Sequence, residues 1–128
     1  MTVQGGHKTW LWGDDRGATA VEFALVAPAA IMLLVGIVSL SLMLFSIGNM
    51  HFAVEAAARC ASAIPMVCSS PDSIVAYANS RYAGALITPV FTYVSAACGN
   101  QVNGLITYTL DVGLFQQSVP LSATSCYP

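Results

Sequence analysis

Residues 23–47 contain no charged side chain, and apolar residues fall on every side of the helix such a run would form. About 25 residues are enough to cross a hydrocarbon core of roughly 30 Å. Gly36, Ser39, Ser41 and Ser46 dilute the run without interrupting it. A soluble helix of this length normally shows a polar face, and none is visible here. The pattern therefore predicts a membrane-spanning helix over residues 23–47. Helical composition then continues, because residues 51–59 are rich in Ala, the best helix former. Glu55 and Arg59 stand at i, i+4 in the favourable order. Pro65 is a stop signal. One helix over residues 18–63 is predicted, with Pro28 inside it, where it frees the Ala24 carbonyl.

The period changes after Pro65. Ser70-Pro71-Asp72 reads as an N-cap followed by Pro at the first helical position. Ile74, Ala78 and Tyr82 recur at i, i+4, i+8, and Gly84 follows as a stop signal, so a short amphipathic helix is predicted. Residues 87–97 are rich in β-branched and aromatic side chains. Residues 105–112 alternate, with Ile106, Tyr108, Leu110 and Val112 on one face and Thr107, Thr109 and Asp111 on the other. Gly99-Asn100 and Asn103-Gly104 mark the connection between two strands as a turn or loop. Phe115, Val119 and Leu121 suggest a third strand, which Pro120 places at an edge. The predicted class is α+β: a long N-terminal transmembrane helix, then a small disulfide-bonded head with a short helix and an antiparallel sheet of two to three strands. The expected organisation is a hydrophilic leader over 1–17, the long helix over 18–63 and an extracytoplasmic head over 64–128.

Composition supports this division. Only 8% of the 128 residues are charged and 56% are hydrophobic, against about 25% charged in an average globular domain. The net charge of −2 leaves no electrostatic footprint for nucleic acid. The apolar run exceeds the roughly 7–15 residues of a secretory h-region, which argues against an ordinary cleaved signal peptide.

All four cysteines, Cys60, Cys68, Cys98 and Cys126, lie beyond the apolar run. An even count in a short distal domain points to an oxidising compartment and two disulfides. Three pairings are possible. Cys60–Cys68 with Cys98–Cys126 is preferred, since the first would staple the helix end across Pro65 and the second would tie the C-terminal tail to the sheet. No C-x-x-C pair is present, and the nearest histidine to any cysteine is His51, so no metal or other cofactor is expected. His51 reads as a solvated residue just outside the apolar run. A cysteine nucleophile would lack a base in the distal region, and no enzymatic activity is expected. Gly36, Ser39 and Ser41 read either as a close-packing face for a partner helix or as ordinary small-residue content.

Glu22 stands at the edge of the membrane run, where a carboxylate is costly and a functional candidate by default. The alternative is a headgroup position near the helix N-terminus, favoured by the helix dipole. The stretch Arg16-Gly17-Ala18-Thr19-Ala20-Val21-Glu22-Phe23-Ala24-Leu25-Val26-Ala27-Pro28 resembles the N-terminus of TadE-like pilus-assembly proteins, the minor pilins of the tight-adherence system. The later stretch Ala53-Val54-Glu55-Ala56-Ala57-Ala58-Arg59-Cys60-Ala61 resembles the end of that family's long helix. The leader departs from the pattern, because Asp14 and Asp15 offset Lys8 and Arg16 and weaken the positive-inside signal.

The resemblance implies a class III prepilin-type signal, with Gly17 the last leader residue, Ala18 the first mature one and Glu22 at the fifth mature position. It implies cleavage between Gly17 and Ala18 by a prepilin peptidase, and residence in the inner (cytoplasmic) membrane. The N-terminus would be cytoplasmic, and the head periplasmic or extracellular. Glu22 would be an assembly contact, pairing with the α-amine of a neighbouring subunit. The implied function is that of a minor pilin or pseudopilin supporting assembly of tight-adherence (type IVb, Flp-type) pili. Its partners would be the prepilin peptidase, other pilin-like subunits, the assembly platform and membrane lipid. The competing function is a membrane-anchored envelope binding module.

Overall fold

A computed structural model describes residues 15–84, 87–111 and 113–128 of the chain. Residues 1–14 of the expected leader and Val112, expected on one strand face with Ile106, Tyr108 and Leu110, lie outside the described residues. The elements are α1 (Asp15–Ala63), α2 (Pro71–Arg81), β1 (Val90–Ala96), β2 (Gly99–Asp111) and β3 (Gln116–Tyr127). The class is the α+β one expected, with an antiparallel sheet of order β1-β2-β3. The chain divides into two compact units, Met1–Leu34 and Val35–Pro128.

The first unit contains the opening part of α1, with Pro28 inside the helix. Val21, Phe23, Leu25, Val26 and Ile31 through Leu34 are all exposed. Consecutive exposed positions mean that no side of this segment is covered. The stretch Gly17–Ala63 is long and apolar enough to cross a membrane.

The second unit is the head together with the part of α1 it folds on. Its core gathers Met50, Ala53, Val54, Ala57, Ala58 and Cys60 of α1, Ile74 and Ala78 of α2, and Phe91, Val102, Ile106 and Ala123 of the sheet. Ser46, Met50, Ala53, Val54, Ala57 and Ala58 follow i, i+4, i+7, i+8, i+11, i+12, which is one helical face. Half of this face is alanine, so the sheet can approach α1 closely. Gly104 marks the nearest approach: a Cβ there would lie 2.9 Å from the Phe91 ring and 3.0 Å from Met50 Cγ. Buried Ser46 is satisfied within its own helix, donating to the Leu42 carbonyl at 2.9 Å.

Several local expectations need correction. Asn103-Gly104 is not a turn but lies within β2, paired with Thr92 and Phe91. Gly104 is there to clear Met50, and the Asn103 carboxamide oxygen accepts from Gln101 and Thr124. The β1–β2 turn is instead Ala97 and Cys98. Gly99 follows at φ 117°, where a Cβ would collide with the Tyr127 backbone. Gly84 does not terminate α2. The helix ends at Arg81 with Tyr82 as an extended C-cap, whose N–H returns to Ala78 and Asn79. The α2 start is as read: Ser70 caps with a reciprocal Ser70–Ser73 box and Pro71 opens the helix. The third strand is longer than its apolar residues suggested and starts after Phe115. Pro120 lies on β3, an edge strand, where a missing N–H is tolerated.

Candidate processing and assembly site

Asp15, Arg16, Gly17 and Ala18 are helical, and Gly17 and Ala18 are exposed. Among the described residues nothing lies within 4 Å of a Cβ built on Gly17.

Glu22 is exposed on the helix surface, flanked by exposed Val21 and Phe23. Among the described residues it enters no ion pair; the pair present joins Arg59 to Glu55 farther along α1. A lone carboxylate amid apolar side chains is suited to a cation brought by another molecule, because desolvating it unpaired is expensive.

The cysteines are joined as Cys60–Cys68 and Cys98–Cys126. The first bridges the Pro65 turn, where Val67 and Cys68 donate to the Ile64 carbonyl. The second ties the β1–β2 turn to the end of β3. Beside it runs a polar latch. Tyr93 Oη donates to Asn100 Oδ1 at 2.6 Å, Asn100 Nδ2 donates to Ser62 Oγ at 2.9 Å, and Ser62 Oγ donates to the Tyr127 carbonyl at 3.3 Å. Asn100 had read as a turn residue, and only its side-chain amide hinted at this role.

At the other end of the sheet, Tyr108 Oη donates to the Ser39 carbonyl at 3.3 Å. Gly36 and Ser39 are half-buried while Ser41 is exposed and donates to the Ile37 carbonyl. Part of the small-residue face considered for a partner helix is thus occupied by the chain's own sheet. His51 is exposed. A groove of about 390 Å³ runs between α1 and α2, lined by Phe52, Glu55, Arg59, Tyr77 and Arg81 among others. Its charges are already engaged: Arg59 with Glu55, and Arg81 with the Tyr77 hydroxyl and ring face. Among the described residues no group of three or more His, Cys, Asp or Glu is placed to hold a metal ion.

No curated protein and no solved structure matches the chain. The model of one family, TadE-like protein, matches residues 17–59. The match runs from Gly17 through Glu22 and the exposed apolar stretch to Arg59, and it stops before the second helix and the sheet. Over residues 17–59, about a third of the chain, the sequence is similar to TadE-like proteins.

Proposed function

We propose that the chain is a minor pilin or pseudopilin of the tight-adherence (type IVb, Flp-type) pilus. It sits in the inner membrane as a single-pass protein, N-terminus cytoplasmic and head outside. One observation carries the reading: the TadE-like segment opens with an accessible Gly17-Ala18 bond, then a lone exposed Glu22, then a helix whose apolar side chains face outward on all sides. Prepilin peptidase cuts between Gly17 and Ala18. The new Ala18 α-amine carries a positive charge near neutral pH, and Glu22 of a neighbouring subunit pairs with it. In low dielectric either charge alone is costly, so the pair sets the register of packed helices. No catalytic role is assigned to the head.

Mass spectrometry of the mature N-terminus tests the processing step. In cells with active peptidase the chain is expected to begin at Ala18, and a Gly17→Val chain is expected to keep its leader. Glu22→Ala should remain membrane-inserted, be processed, and fail to support piliation. A chain that keeps its leader in the presence of peptidase would sink the proposal.

The α1–α2 groove favours a second reading, an envelope binding module, because its volume lies within the usual range of ligand pockets, roughly 300–1,000 Å³. Normal pili with Glu22→Ala, together with lost function on filling the groove by Ala56→Trp, would put that reading ahead.

A further inference from the structure

The two disulfides differ in what surrounds them. Cys60 and Cys68 are 2% and 4% exposed and belong to the head's core. Cys98 is exposed in the two-residue turn between β1 and β2, and half-buried Cys126 is joined to it from β3. Side chains of a strand alternate between faces. Ala123 is buried in the core, so Cys126 lies with exposed Ser122 and Thr124 on the other face of the sheet. Val94, Gln101 and Cys126 form one row across the three strands, and Val94, 50% exposed, is an apolar shoulder on that row. Residues 90–110 and 116–128 carry no charged side chain. Asp111 stands at the opposite end of β2, so no acidic side chain of the sheet lies beside the bond to repel an approaching thiolate. The bond is also not what sets the register. Twelve β2–β3 pairs, from Asn100↔Tyr127 to Asp111↔Gln116, fix β3 in place, and the core lies on the sheet's other face. Only the end of β3 depends on it. There the Ser62–Tyr127 hydrogen bond, at 3.3 Å, is the longest tie of the latch, while Tyr93–Asn100 and Asn100–Ser62 do not involve β3.

We propose that Cys98–Cys126 is a site of thiol–disulfide exchange with a dithiol protein of the C-x-x-C class, and that exchange frees the end of β3 while the rest of the head stays folded. The inference is independent of the pilus reading above. Exchange needs a sulfur that a thiolate can reach, and of the four cysteines Cys98 is the exposed one. The partner's thiolate attacks Cys98 Sγ. The Cys98–Cys126 bond breaks, a mixed disulfide forms on Cys98, and Cys126 leaves as a thiolate that takes a proton from water. The partner's second thiol then attacks its own sulfur in the mixed disulfide and releases Cys98 as a thiol. The head gains two electrons and two protons, and the partner's dithiol becomes a disulfide. Cys60–Cys68, buried under the Pro65 turn, keeps its bond throughout. The head thus has an oxidised form with the end of β3 pinned to the β1–β2 turn, and a reduced form with that end loose and the Cys98 thiol facing solvent.

The oxidised full chain in detergent micelles tests this with two probes. One is a C-x-x-C protein whose second cysteine is replaced by serine, so that the reaction stalls at the mixed disulfide. The other is dithiothreitol, a small dithiol that completes the reduction. Peptide mass spectrometry after alkylation is expected to find the stalled adduct on Cys98 and the freed thiol at Cys126. With dithiothreitol, Cys60–Cys68 should open at least roughly tenfold more slowly than Cys98–Cys126, because a buried bond is reached only through opening of the head. Amide hydrogen exchange on the chain reduced at Cys98–Cys126 should show lost protection at residues 125–127, with residues 102–110 and 50–58 still protected. No adduct on the folded chain, or an adduct on Cys126, overturns the exchange site. Equal rates for the two disulfides overturn it as well, since exposure then confers no selectivity. Protection lost across the whole sheet, or unchanged at residues 125–127, overturns the local release.

Discussion

Up to Phe45, α1 exposes large side chains (Leu, Ile, Val, Met and Phe), whereas from Ser46 to Cys60 it buries a face made of Ser46, Met50, Val54, Cys60 and alanines. The more hydrophobic half is uncovered and the less hydrophobic half is covered. In a water-soluble protein the order would be reversed, since burial follows apolar area. The inversion separates two properties that are often treated as one. Bulk hydrophobicity marks the segment that is long and apolar enough to cross a membrane. Small side-chain volume marks the segment meant for the chain's own sheet, because only a shallow face lets β2 come close enough to pack on both sides of Gly104.

The largest test of this contrast is paired truncation. Met50→Ala, in the covered half, should lower the unfolding free energy of the head by about 2–5 kcal/mol, as buried large-to-small changes do. Leu33→Ala, in the uncovered half, should leave it unchanged. Denaturant titration in detergent micelles, followed by near-ultraviolet circular dichroism, reads both, and equal losses would break the contrast. Next come the disulfides. Cys98→Ser with Cys126→Ser opens a 28-residue separation, and Cys60→Ser with Cys68→Ser opens one of 8. On chain entropy the first pair should cost about 3–4 kcal/mol and the second about 1 kcal/mol less, read by the same titration. Ser70→Ala removes the cap of α2, a helix that contributes Ile74 and Ala78 to the covered side. It should cost about 1 kcal/mol, seen as a lower midpoint of thermal unfolding. Glu55→Gln breaks an ion pair whose side chains are 60% and 53% exposed. It should change stability by no more than about 0.5 kcal/mol, with the difference vanishing in high salt.

The uncovered half was legible because lipid-like composition is an average over many residues and needs no partner to be seen. The cysteine pairing and the Ser70 cap were legible because each is a local device with its own residue types. The covered half was not, because a stripe of alanine on an already apolar helix carries no polar opposite face to reveal it. Asn103-Gly104 misled for a related reason. The same dipeptide serves a turn, through φ, and a strand, through the space it leaves, and only Met50 from a distant part of the chain decides between them. The latch from Tyr93 through Asn100 to Ser62 joins residues 38 apart, with no periodicity to announce it. Gly17, Ala18 and Glu22 were legible only as a family motif. The structure leaves all three exposed on α1, where neither packing nor periodicity singles them out.

The meander order of the sheet bears on how the head assembles. β1 meets β2 across two residues, and β3 lies next to β2 along the chain as well as in space. Neighbouring strands of this kind zip within about 1–10 μs, whereas docking on α1 must join segments tens of residues apart and is slower. The sheet is therefore expected to form first, as a slab with Phe91, Val102, Ile106 and Ala123 bare on one side, and then to land on the covered face of α1. Until Ser62 is gripped by Asn100 and Tyr127, that open slab is the form most vulnerable to proteolysis and to pairing with the wrong chain.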